Sequence, residues 1–369
     1  MAIINTNSVK WRLELKESMV NPSQLAQYFS FKIDNIDSVV KKFPMRITPY
    51  YLSLIKSEKD PIWRQAIPDV AELSYDVINF DSDSEAINSS CHIKASDPLH
   101  EEAQSPTPSI IHRYPDRVIF LVSNQCAMYC RYCMRKRKVG GSIDNQKSHI
   151  NIKQGLNYIK ENRAIRDVIL SGGDPLLLST QSLDKILFAL RQIEHVETIR
   201  IHTRVICTLP YRITENLAST LEKYHPLYIN THFNHPSEIT DKAAAAADKL
   251  AHAGIPLGCQ TVLLKGVNDN PETMIDLMRG LIKIRIKPYY LHHPDPVIST
   301  THFRPSLEIG LDIMRAMRGN LTGIAVPQYM VDLPGGYGKL PILPDYIKKR
   351  DADSMVVENY QGKICKYWF

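Results

Sequence analysis

Three cysteines, Cys126, Cys130 and Cys133, lie within eight residues in the segment "CAMYCRYCMRKRK", and four cationic residues follow at 135–138. Three thiolates can bind three irons of a cubic iron–sulfur cluster, which leaves the fourth iron open to an outside ligand. A structural zinc ion needs four ligands, and because another cysteine or a histidine can supply the fourth, counting alone leaves zinc open. The spacing favours the cluster, since zinc ligands usually come as two pairs separated by a long insert.

The elements that must position these cysteines are alternating strands and helices. Apolar segments typical of buried strands occur at 117–123, 167–172, 198–203, 227–233, 257–264 and 287–292. Helical patterns occur at 151–162, 180–193, 214–223, 237–253, 271–284 and 306–317. Six strand–helix units in sequence predict an α/β fold with a parallel sheet covered by helices. A full barrel has eight strands, so we expect a partial (β/α)6 barrel with its chemistry at the carboxyl ends of the strands, where Cys126 lies.

A glycine pair followed by a carboxylate ends the second predicted strand, in "LSGGDPLL" at 170–177. Gly172 and Gly173 allow the backbone to pass close to a ligand, and Asp174 can bind an ammonium group. An isolated Gly-Gly-Asp is more often a turn than a site. Its place at a strand end, one strand–helix unit after the cysteines, favours a binding site.

A glycine-rich loop with a lysine at its end occurs late in the chain, in "MVDLPGGYGKLP" at 330–341. Such a loop can be a surface turn, but Lys339 can also bind pyridoxal phosphate covalently through its amine. A phosphate would need cations, and Arg113 and Arg117 in "HRYPDR" are candidates, although they can equally be surface charges. The residues alone leave both alternatives open.

The overall composition limits the function classes. The 369 residues are 44% hydrophobic and 23% charged, with a net charge of +6, as in ordinary globular proteins. The start "MAIINTNSVKWRLELKES" is not a signal peptide, and no stretch of about 18 apolar residues occurs, so we expect a cytoplasmic protein without membrane contact. The basic run at 135–138 adjoins the cysteines, so a zinc module that binds nucleic acid is the less favoured alternative. The four other cysteines are expected to be core or surface thiols: Cys91, Cys207, Cys259 and Cys365.

The spacing C-x3-C-x2-C, with Tyr129 and Tyr132 beside the later cysteines, resembles the radical S-adenosylmethionine enzymes. More of the chain, about residues 10–362, is similar to the lysine 2,3-aminomutase family within that group. The segments that carry this resemblance are "HRYPDRVIFLVSNQCAMYCRYCMRKRKVGG", "LSGGDPLL", "NTHFNHPSEIT", "LGCQTVLLKGVNDN", "KPYYLHHPD" and "VDLPGGYGK".

The resemblance implies three cofactors: a [4Fe–4S] cluster, S-adenosylmethionine and pyridoxal phosphate. It implies that Cys126, Cys130 and Cys133 hold the cluster, and that Lys339 carries pyridoxal phosphate. The other implied roles are Arg113 and Arg117 near the cofactor phosphate, Gly172, Gly173, Asp174, His232 and Gln260 around S-adenosylmethionine, Arg135 on the substrate α-carboxylate, and Asp295 and Asp332 on the substrate ε-ammonium.

The activity that the resemblance implies is an isomerisation of L-lysine to β-lysine, started by a radical from S-adenosylmethionine. Two carboxylates in a desolvated pocket need a cation between them, so a glutamate substrate would be repelled. Arginine, ornithine or a protein-bound lysine, such as that of a translation factor, remain alternatives. We also expect an external electron donor, such as ferredoxin or flavodoxin, and a homo-oligomer.

The sequence departs from the family at three places. Asn270 stands where relatives have a zinc-binding cysteine, and the C-terminal "ICKYWF" lacks their cysteine-rich tail, so we expect no structural zinc and leave open the familiar oligomer arrangement. His292 stands where relatives have tyrosine, so the substrate pocket is expected to differ in detail. The expected organisation is a helical extension at 1–110, the partial barrel at 111–325, and a C-terminal segment with the lysine loop at 326–369.

Overall fold

The computed structural model describes residues 6–29, 36–74, 96–140 and 150–369. Within these ranges nine strands form one sheet in sequence order: β1 Ile110–Tyr114, β2 Arg117–Ser123, β3 Asp167–Gly172, β4 Thr198–His202, β5 Leu227–Thr231, β6 Leu257–Val262, β7 Lys287–His292, β8 Gln328–Leu333 and β9 Gly338–Pro341. Strands β2 to β8 are parallel, whereas β1 and β9 pair antiparallel with β2 and β8 at the two edges. The carboxyl ends of the seven parallel strands therefore meet at one rim.

Helices connect the parallel strands: α6 Ile152–Glu161, α7 Thr180–Arg191, α8 Val205–Thr208, α9 Glu215–Glu222, α10 Asp241–His252, α11 Pro271–Lys283 and α12 Leu307–Met317. Most of the longer helices begin at a residue whose side chain accepts a main-chain N–H of the first turn. Asn151 caps α6 in this way, and Thr240 caps α10. Helix α10 buries Ala243, Ala246 and Ala247, one face of the alanine run. Asn270 caps α11 by accepting the main-chain N–H of Thr273, so this residue helps to start a helix.

The expected partial α/β barrel is confirmed, and all six predicted strands are present. Strands β5 and β6 end two residues earlier than expected, and α10 begins at Asp241 because Pro236–Glu238 form a separate 3-10 turn. The parallel set is larger than predicted, since β8 adds a seventh strand from a segment that we had interpreted only as the approach to the lysine loop. Of the remaining cysteines, Cys207 and Cys259 are buried and Cys365 is exposed. Cys91 and most of the polar stretch at 81–109 lie outside the described residues.

The N-terminal helices are α1 Thr6–Lys16, α2 Pro22–Tyr28, α3 Asp37–Lys42, α4 Pro49–Leu52 and α5 Pro61–Ala66. Their apolar side chains Trp11, Leu25 and Tyr51 belong to the same buried core as Ile201 of β4 and Leu291 of β7. At the other end of the chain, β10 Ile347–Arg350, β11 Ser354–Glu358 and β12 Ile364–Trp368 form a separate antiparallel sheet. The expected domain limits remain predictions, while the hydrophobic core crosses the first of them.

Among the residues that the structure describes, no helix has the length and apolar character that a membrane crossing requires.

Candidate active site

A cavity of about 480 Å³ begins at the carboxyl rim of the sheet and reaches into the barrel. This volume lies within the usual range of small-molecule sites. Every residue for which the sequence predicted a role lines it: Arg113, Arg117, Cys126, Cys130, Cys133, Arg135, Gly172, Gly173, Asp174, His232, Gln260, Asp295, Asp332 and Lys339. The fold therefore brings motifs that are more than 200 residues apart in sequence to one site.

The cysteine loop after β2 is held in place by the N-terminal helices. The main-chain N–H of Tyr129 donates to the carbonyl of Arg46, and that of Arg131 to the carbonyl of Gln65, both at 3.0 Å. The Arg131 side chain, only 1% exposed, donates twice to Glu72, at 2.8 and 2.6 Å. The N-terminal segment, expected only as an extension, thus fixes the loop that carries all three cysteines.

Glu72 is fully buried and binds two cations, Arg131 and Lys136, the latter at 2.7 Å. We expect Glu72→Gln to lower the free energy of unfolding by about 3 kcal/mol, because removing one partner leaves buried charge uncompensated. Anaerobic urea denaturation measures this change. Glu58→Gln, at an exposed residue, is the matched control and should stay within about 0.5 kcal/mol of the parent. An equally small effect of Glu72→Gln would contradict the anchoring role.

The three thiols line the cavity. In the part of the chain that the structure describes, no three His, Cys, Asp or Glu side chains come together as ligands of a single metal ion, these cysteines included. A zinc ion would need its sulfur ligands about 2.3 Å from one centre, whereas each thiolate of a cubic cluster binds a different iron. Burial raises the pKa of Cys133 to about 11 and that of Cys126 well above its usual value. Binding of iron would therefore release protons.

The Gly-Gly-Asp segment packs against the end of β2. A Cβ on Gly172, where φ is +114°, would lie 2.3 Å from the Ser123 carbonyl, and one on Gly173 would lie 2.5 Å from that of Gln125. The glycines thus allow close approach of the main chain that leads into the cysteine loop. The Asp174 carboxylate accepts the Thr203 hydroxyl at 2.7 Å besides main-chain N–H groups, so it also fixes the end of β4. Its expected contact with an ammonium remains a prediction.

Four partly buried histidines line the cavity, and three of them, His202, His232 and His292, lie near its cations. Burial, followed by nearby cations, lowers the pKa of His232 to about 4. Burial also lowers the pKa of His202 and His292 well below the usual value, and Lys339 adds to the shift in both. All three are therefore neutral at pH 7. Gln260 of β6 adds a neutral polar group to the same wall.

Asp332 and Lys339 face each other as a direct pair across the β8–β9 hairpin. The Lys339 ammonium donates to Asp332 Oδ2 at 2.5 Å. The other oxygen, Oδ1, is buried and has no hydrogen-bond partner among the residues that the structure describes, and Nη1 of Arg113 lies 3.6 Å from it. A buried carboxylate with an unfilled acceptor is costly unless a donor reaches it, so this oxygen is prepared to accept from a ligand.

Asp295 lies in the loop after β7 and shares the electrostatic environment of Asp332. Burial is the largest cause, and the Asp332 charge the next, of a rise in the pKa of Asp295 to about 7. Lys339 and Arg113 act in the opposite direction. The Asp332 charge is thus close enough to disfavour ionisation of Asp295.

The two arginines predicted for a phosphate have different surroundings. Arg113 donates to Gln104 and to the Leu99 carbonyl, and its side chain is 15% exposed. The Arg117 side chain is 43% exposed and pairs with Asp116. Both line the cavity together with Lys339. Arg113, which is less exposed and has more hydrogen-bond partners, is held more firmly than Arg117.

The glycines of the lysine loop adopt backbone conformations that other residues rarely adopt. Gly336 and Gly338 have φ of +81° and +99°. A Cβ on Gly336 would lie 1.9 Å from Nε2 of Gln104, and the N–H of Lys339 donates to the Tyr114 hydroxyl at 3.0 Å. In the structure these glycines let the loop dock on Gln104, before β1, and on Tyr114, at the end of β1.

The basic run is neutralised inside the protein. Arg135 donates twice to Glu101 Oε1, at 3.0 and 2.8 Å, and Lys138 reaches the other oxygen at 3.3 Å. Arg137 pairs with Asp97 at 2.6 Å. Burial opposes ionisation of Glu101, but Arg135 and Lys138 outweigh it and lower its pKa to about 2. These cations therefore face buried acids and not a surface that nucleic acid could approach.

Sequence reasoning missed Glu101 and Arg204. Glu101 lies in the part of the chain that we expected only as a helical extension, and no spacing links it to Arg135. Arg204 follows β4 and donates to the Cys130 sulfur at 2.9 Å. Its position just beyond a predicted strand was the one signal that could have drawn attention to it.

Comparisons with known proteins agree with this geometry. The family model described as "Radical SAM superfamily" matches residues 120–278, and the one described as "Lysine-2,3-aminomutase" matches residues 314–368. The L-lysine 2,3-aminomutase of Methanococcus maripaludis is 46% identical, over 99% of this chain and 82% of its own. That of Clostridium subterminale is 41% identical, over 97% and 83%. The glutamate 2,3-aminomutase of Clostridioides difficile is 42% identical, over 98% and 82%.

Similar identities to lysine and glutamate enzymes leave the substrate undetermined. Membership in the superfamily implies a [4Fe–4S] cluster and S-adenosylmethionine. The cysteine triplet, the parallel sheet and the near full-length similarity together show that this chain belongs to the lysine 2,3-aminomutase family of radical S-adenosylmethionine enzymes and is a 2,3-aminomutase.

Proposed function

We propose that this chain converts L-lysine to β-lysine by moving the α-amino group to the β-carbon. The observation that carries this proposal is the Asp332 carboxylate, which holds the ammonium of Lys339 and has a second, unfilled oxygen beside Asp295. The Lys339 side chain ends in the same chemical group as free lysine. It therefore stands in for the substrate ammonium that the two carboxylates would bind.

The remaining roles are proposed on the residues that line the cavity. The cluster would bind Cys126, Cys130 and Cys133, S-adenosylmethionine would lie along Gly172, Gly173, Asp174, His232 and Gln260, and pyridoxal phosphate would be held by Lys339, Arg113 and Arg117. These groups supply a carbon radical that abstracts hydrogen and a delocalised π-system across which nitrogen can migrate. The donor set fits them, since three thiols, an amine and two arginines line one cavity.

The protein's own residues would fix both ends of the substrate. Arg135 would release Glu101 and bind the substrate α-carboxylate in its place. A guanidinium can bind either carboxylate through two parallel hydrogen bonds. Asp332 and Asp295 would hold the ε-ammonium. The neutral histidines His202 and His292 add no repulsion to that cation. With both ends held, one β-hydrogen faces the radical source, and this positioning can supply several kcal/mol of the barrier reduction.

A glutamate substrate is disfavoured by the same carboxylates. Its side-chain carboxylate would meet Asp332 and Asp295 in a desolvated pocket, where like charges are costly. Arginine, ornithine and a protein-bound lysine would satisfy the charge, so they remain alternatives for a substrate panel to separate.

The test is an anaerobic assay of the full chain loaded with iron, sulfide and pyridoxal phosphate, and supplied with S-adenosylmethionine and dithionite. Lysine, ornithine, arginine, glutamate and a lysine-containing peptide are compared by mass spectrometry of the products. We expect β-lysine as the main product, with kcat/KM at least tenfold above that for any other substrate. Faster turnover of glutamate or of the peptide would exclude the proposal.

We expect lysine binding to strengthen with pH up to about 7. A cation placed between the carboxylates requires Asp295 to lose its proton, and in the ligand-free site its pKa is raised to about 7. The lysine ε-ammonium stays charged over this range. The Kd for lysine should therefore fall about tenfold per pH unit between pH 5 and 6.5 and level off above 7.

Calorimetric titration at a series of pH values measures this dependence. Asp295→Asn should remove it, because no proton is then released on binding. Asp276→Asn, at an exposed position of α11, should leave the slope as in the parent. A slope that persists in Asp295→Asn would assign the proton to another group.

A further inference from the structure

Arg204, two residues after β4, reaches the sulfur of a proposed cluster ligand. Its Nη1 lies 2.9 Å from Sγ of Cys130, and the residue is 8% exposed. An arginine keeps its charge in proteins, so Cys130 has a permanent cation beside it. Cys133 instead receives a main-chain N–H, that of Arg135, at 3.3 Å. The proposed substrate chemistry gives Arg204 no task, and its contact with the sulfur needs its own explanation.

Three buried groups hold the other end of the guanidinium, since Nη2 donates to Glu238 Oε1 at 2.6 Å, Gln65 Oε1 at 2.7 Å and the Tyr51 hydroxyl at 3.2 Å. Glu238 is fully buried, and its second oxygen accepts the main-chain N–H groups of Asn234 and His235. Because the guanidinium is planar and rigid, fixing Nη2 also fixes the direction of Nη1 toward Cys130. The contact is thus built by several elements and is not an accidental approach of a flexible side chain.

A charged donor at a ligand sulfur changes how easily a cluster accepts an electron. Reduction adds negative charge to the cluster and its sulfurs, and hydrogen bonds to sulfur stabilise that charge. A charge-assisted bond does so more strongly than a neutral one. Glu238 has the opposite influence, but it binds the far side of the guanidinium, and Coulomb energy falls with distance. The net expected effect of Arg204 is a higher reduction potential.

Given the cluster site proposed above, we propose that Arg204 is a positioning residue that holds Cys130 and raises the reduction potential of the cluster bound there. The step that it favours is the addition of one electron to a [4Fe–4S]²⁺ cluster, which gives [4Fe–4S]⁺. An external one-electron reductant supplies the electron, and no bond in the protein forms or breaks. Arg204 thereby makes the cluster easier to reduce before it transfers an electron to S-adenosylmethionine.

The experiment is a redox titration of the reconstituted full chain, followed by electron paramagnetic resonance of the reduced cluster, without amino acid or pyridoxal phosphate. At a fixed solution potential, Arg204→Gln should lower the ratio of reduced to oxidised cluster at least tenfold. For one electron this corresponds to a reduction potential that is lower by about 59 mV. Arg204→Lys keeps the charge and should change the ratio less than threefold. Because no substrate is used, failure of the lysine proposal leaves this result unaffected.

Two further variants separate redox tuning from a structural role. Glu238→Gln removes the opposing anion and should raise the ratio, the reverse of Arg204→Gln. Arg212→Gln is the matched control, because Arg212 is also buried but donates to the carbonyls of Leu176 and Leu178. The ratio of reduced to oxidised cluster in Arg212→Gln should equal that of the parent.

Iron and sulfide contents show which variants carry a full cluster. A fully loaded Arg204→Gln with a ratio within twofold of the parent would overturn the proposal. A downward shift of the same size in Glu238→Gln would do the same. Loss of iron in both Arg204 variants would leave Arg204 a structural role only and would also overturn the redox role.

Discussion

Replacing Lys339 with alanine is expected to lower β-lysine formation by about 10⁴-fold, the scale of loss when a residue of covalent or proton-transfer catalysis is removed. In the proposed site this amine is the attachment point for pyridoxal phosphate. Iron content and cleavage of S-adenosylmethionine to 5′-deoxyadenosine without substrate should stay within twofold, because Lys339 contacts Asp332 and Tyr114, whereas the cysteines lie in the loop after β2. The measurements are product formation and the pyridoxal phosphate retained after borohydride treatment and desalting.

Alanine also removes the cation that pairs with Asp332, so a second variant is needed. Lys339→Arg keeps a cation for this carboxylate but cannot attach the cofactor, and it should be as inactive as Lys339→Ala. Lys348→Ala, at an exposed lysine of β10, is the control and should retain full activity. Parent levels of covalently retained pyridoxal phosphate in Lys339→Ala would exclude the assigned role.

Replacing Asp332 with asparagine is expected to weaken lysine binding on the order of 10³-fold, or about 4 kcal/mol. This value lies within the range for loss of one partner from a buried charge pair. The asparagine keeps the shape of the side chain and removes the charge that the substrate ammonium would need. Binding is measured anaerobically by calorimetry on the loaded enzyme.

The same replacement also disturbs Lys339, and norleucine separates the two effects. Norleucine matches lysine in its carbon chain but lacks the ammonium, so the ratio of the two affinities isolates the ammonium contact. We expect this ratio to fall about 10³-fold in Asp332→Asn and to stay unchanged in Asp312→Asn, at an exposed residue of α12. Equal losses for lysine and norleucine would show that Asp332 supports the loop and does not bind the substrate ammonium.

The sequence predicted most of the site because each motif is short and lies beside a strand end. The cysteine triplet, the Gly-Gly-Asp segment and Asp295 all follow segments with clear strand patterns, and parallel strands bring such positions to one rim. Strand patterns were therefore sufficient to nominate the cysteines and the Gly-Gly-Asp segment, whereas Arg135, His232, Gln260, Asp295 and Asp332 were nominated by the family resemblance. Strand patterns were not sufficient for β8, whose six residues carry a weak pattern in front of a glycine-rich loop.

Partners from distant segments could not be predicted. Glu101 reaches Arg135 across 34 positions, and Arg204 reaches Cys130 across 74. Neither contact has a sequence period, because each depends on how loops from different strand ends fold over the rim. The N-terminal helices gave no sign that they would hold the cysteine loop through Glu72 and Arg131.

By itself the sequence determined the class of fold, the cysteine triplet with room for an outside ligand, and the residues to inspect for chemistry. Only the tertiary structure decided that Lys339 and Asp332 face each other, because this follows from the antiparallel register of β8 and β9 and the glycine turn between them. It also decided that one oxygen of Asp332 is buried without a hydrogen-bond partner among the described residues. Charge pairing in a buried site depends on distances of a few ångströms, and those are set by packing of the whole barrel and not by local sequence.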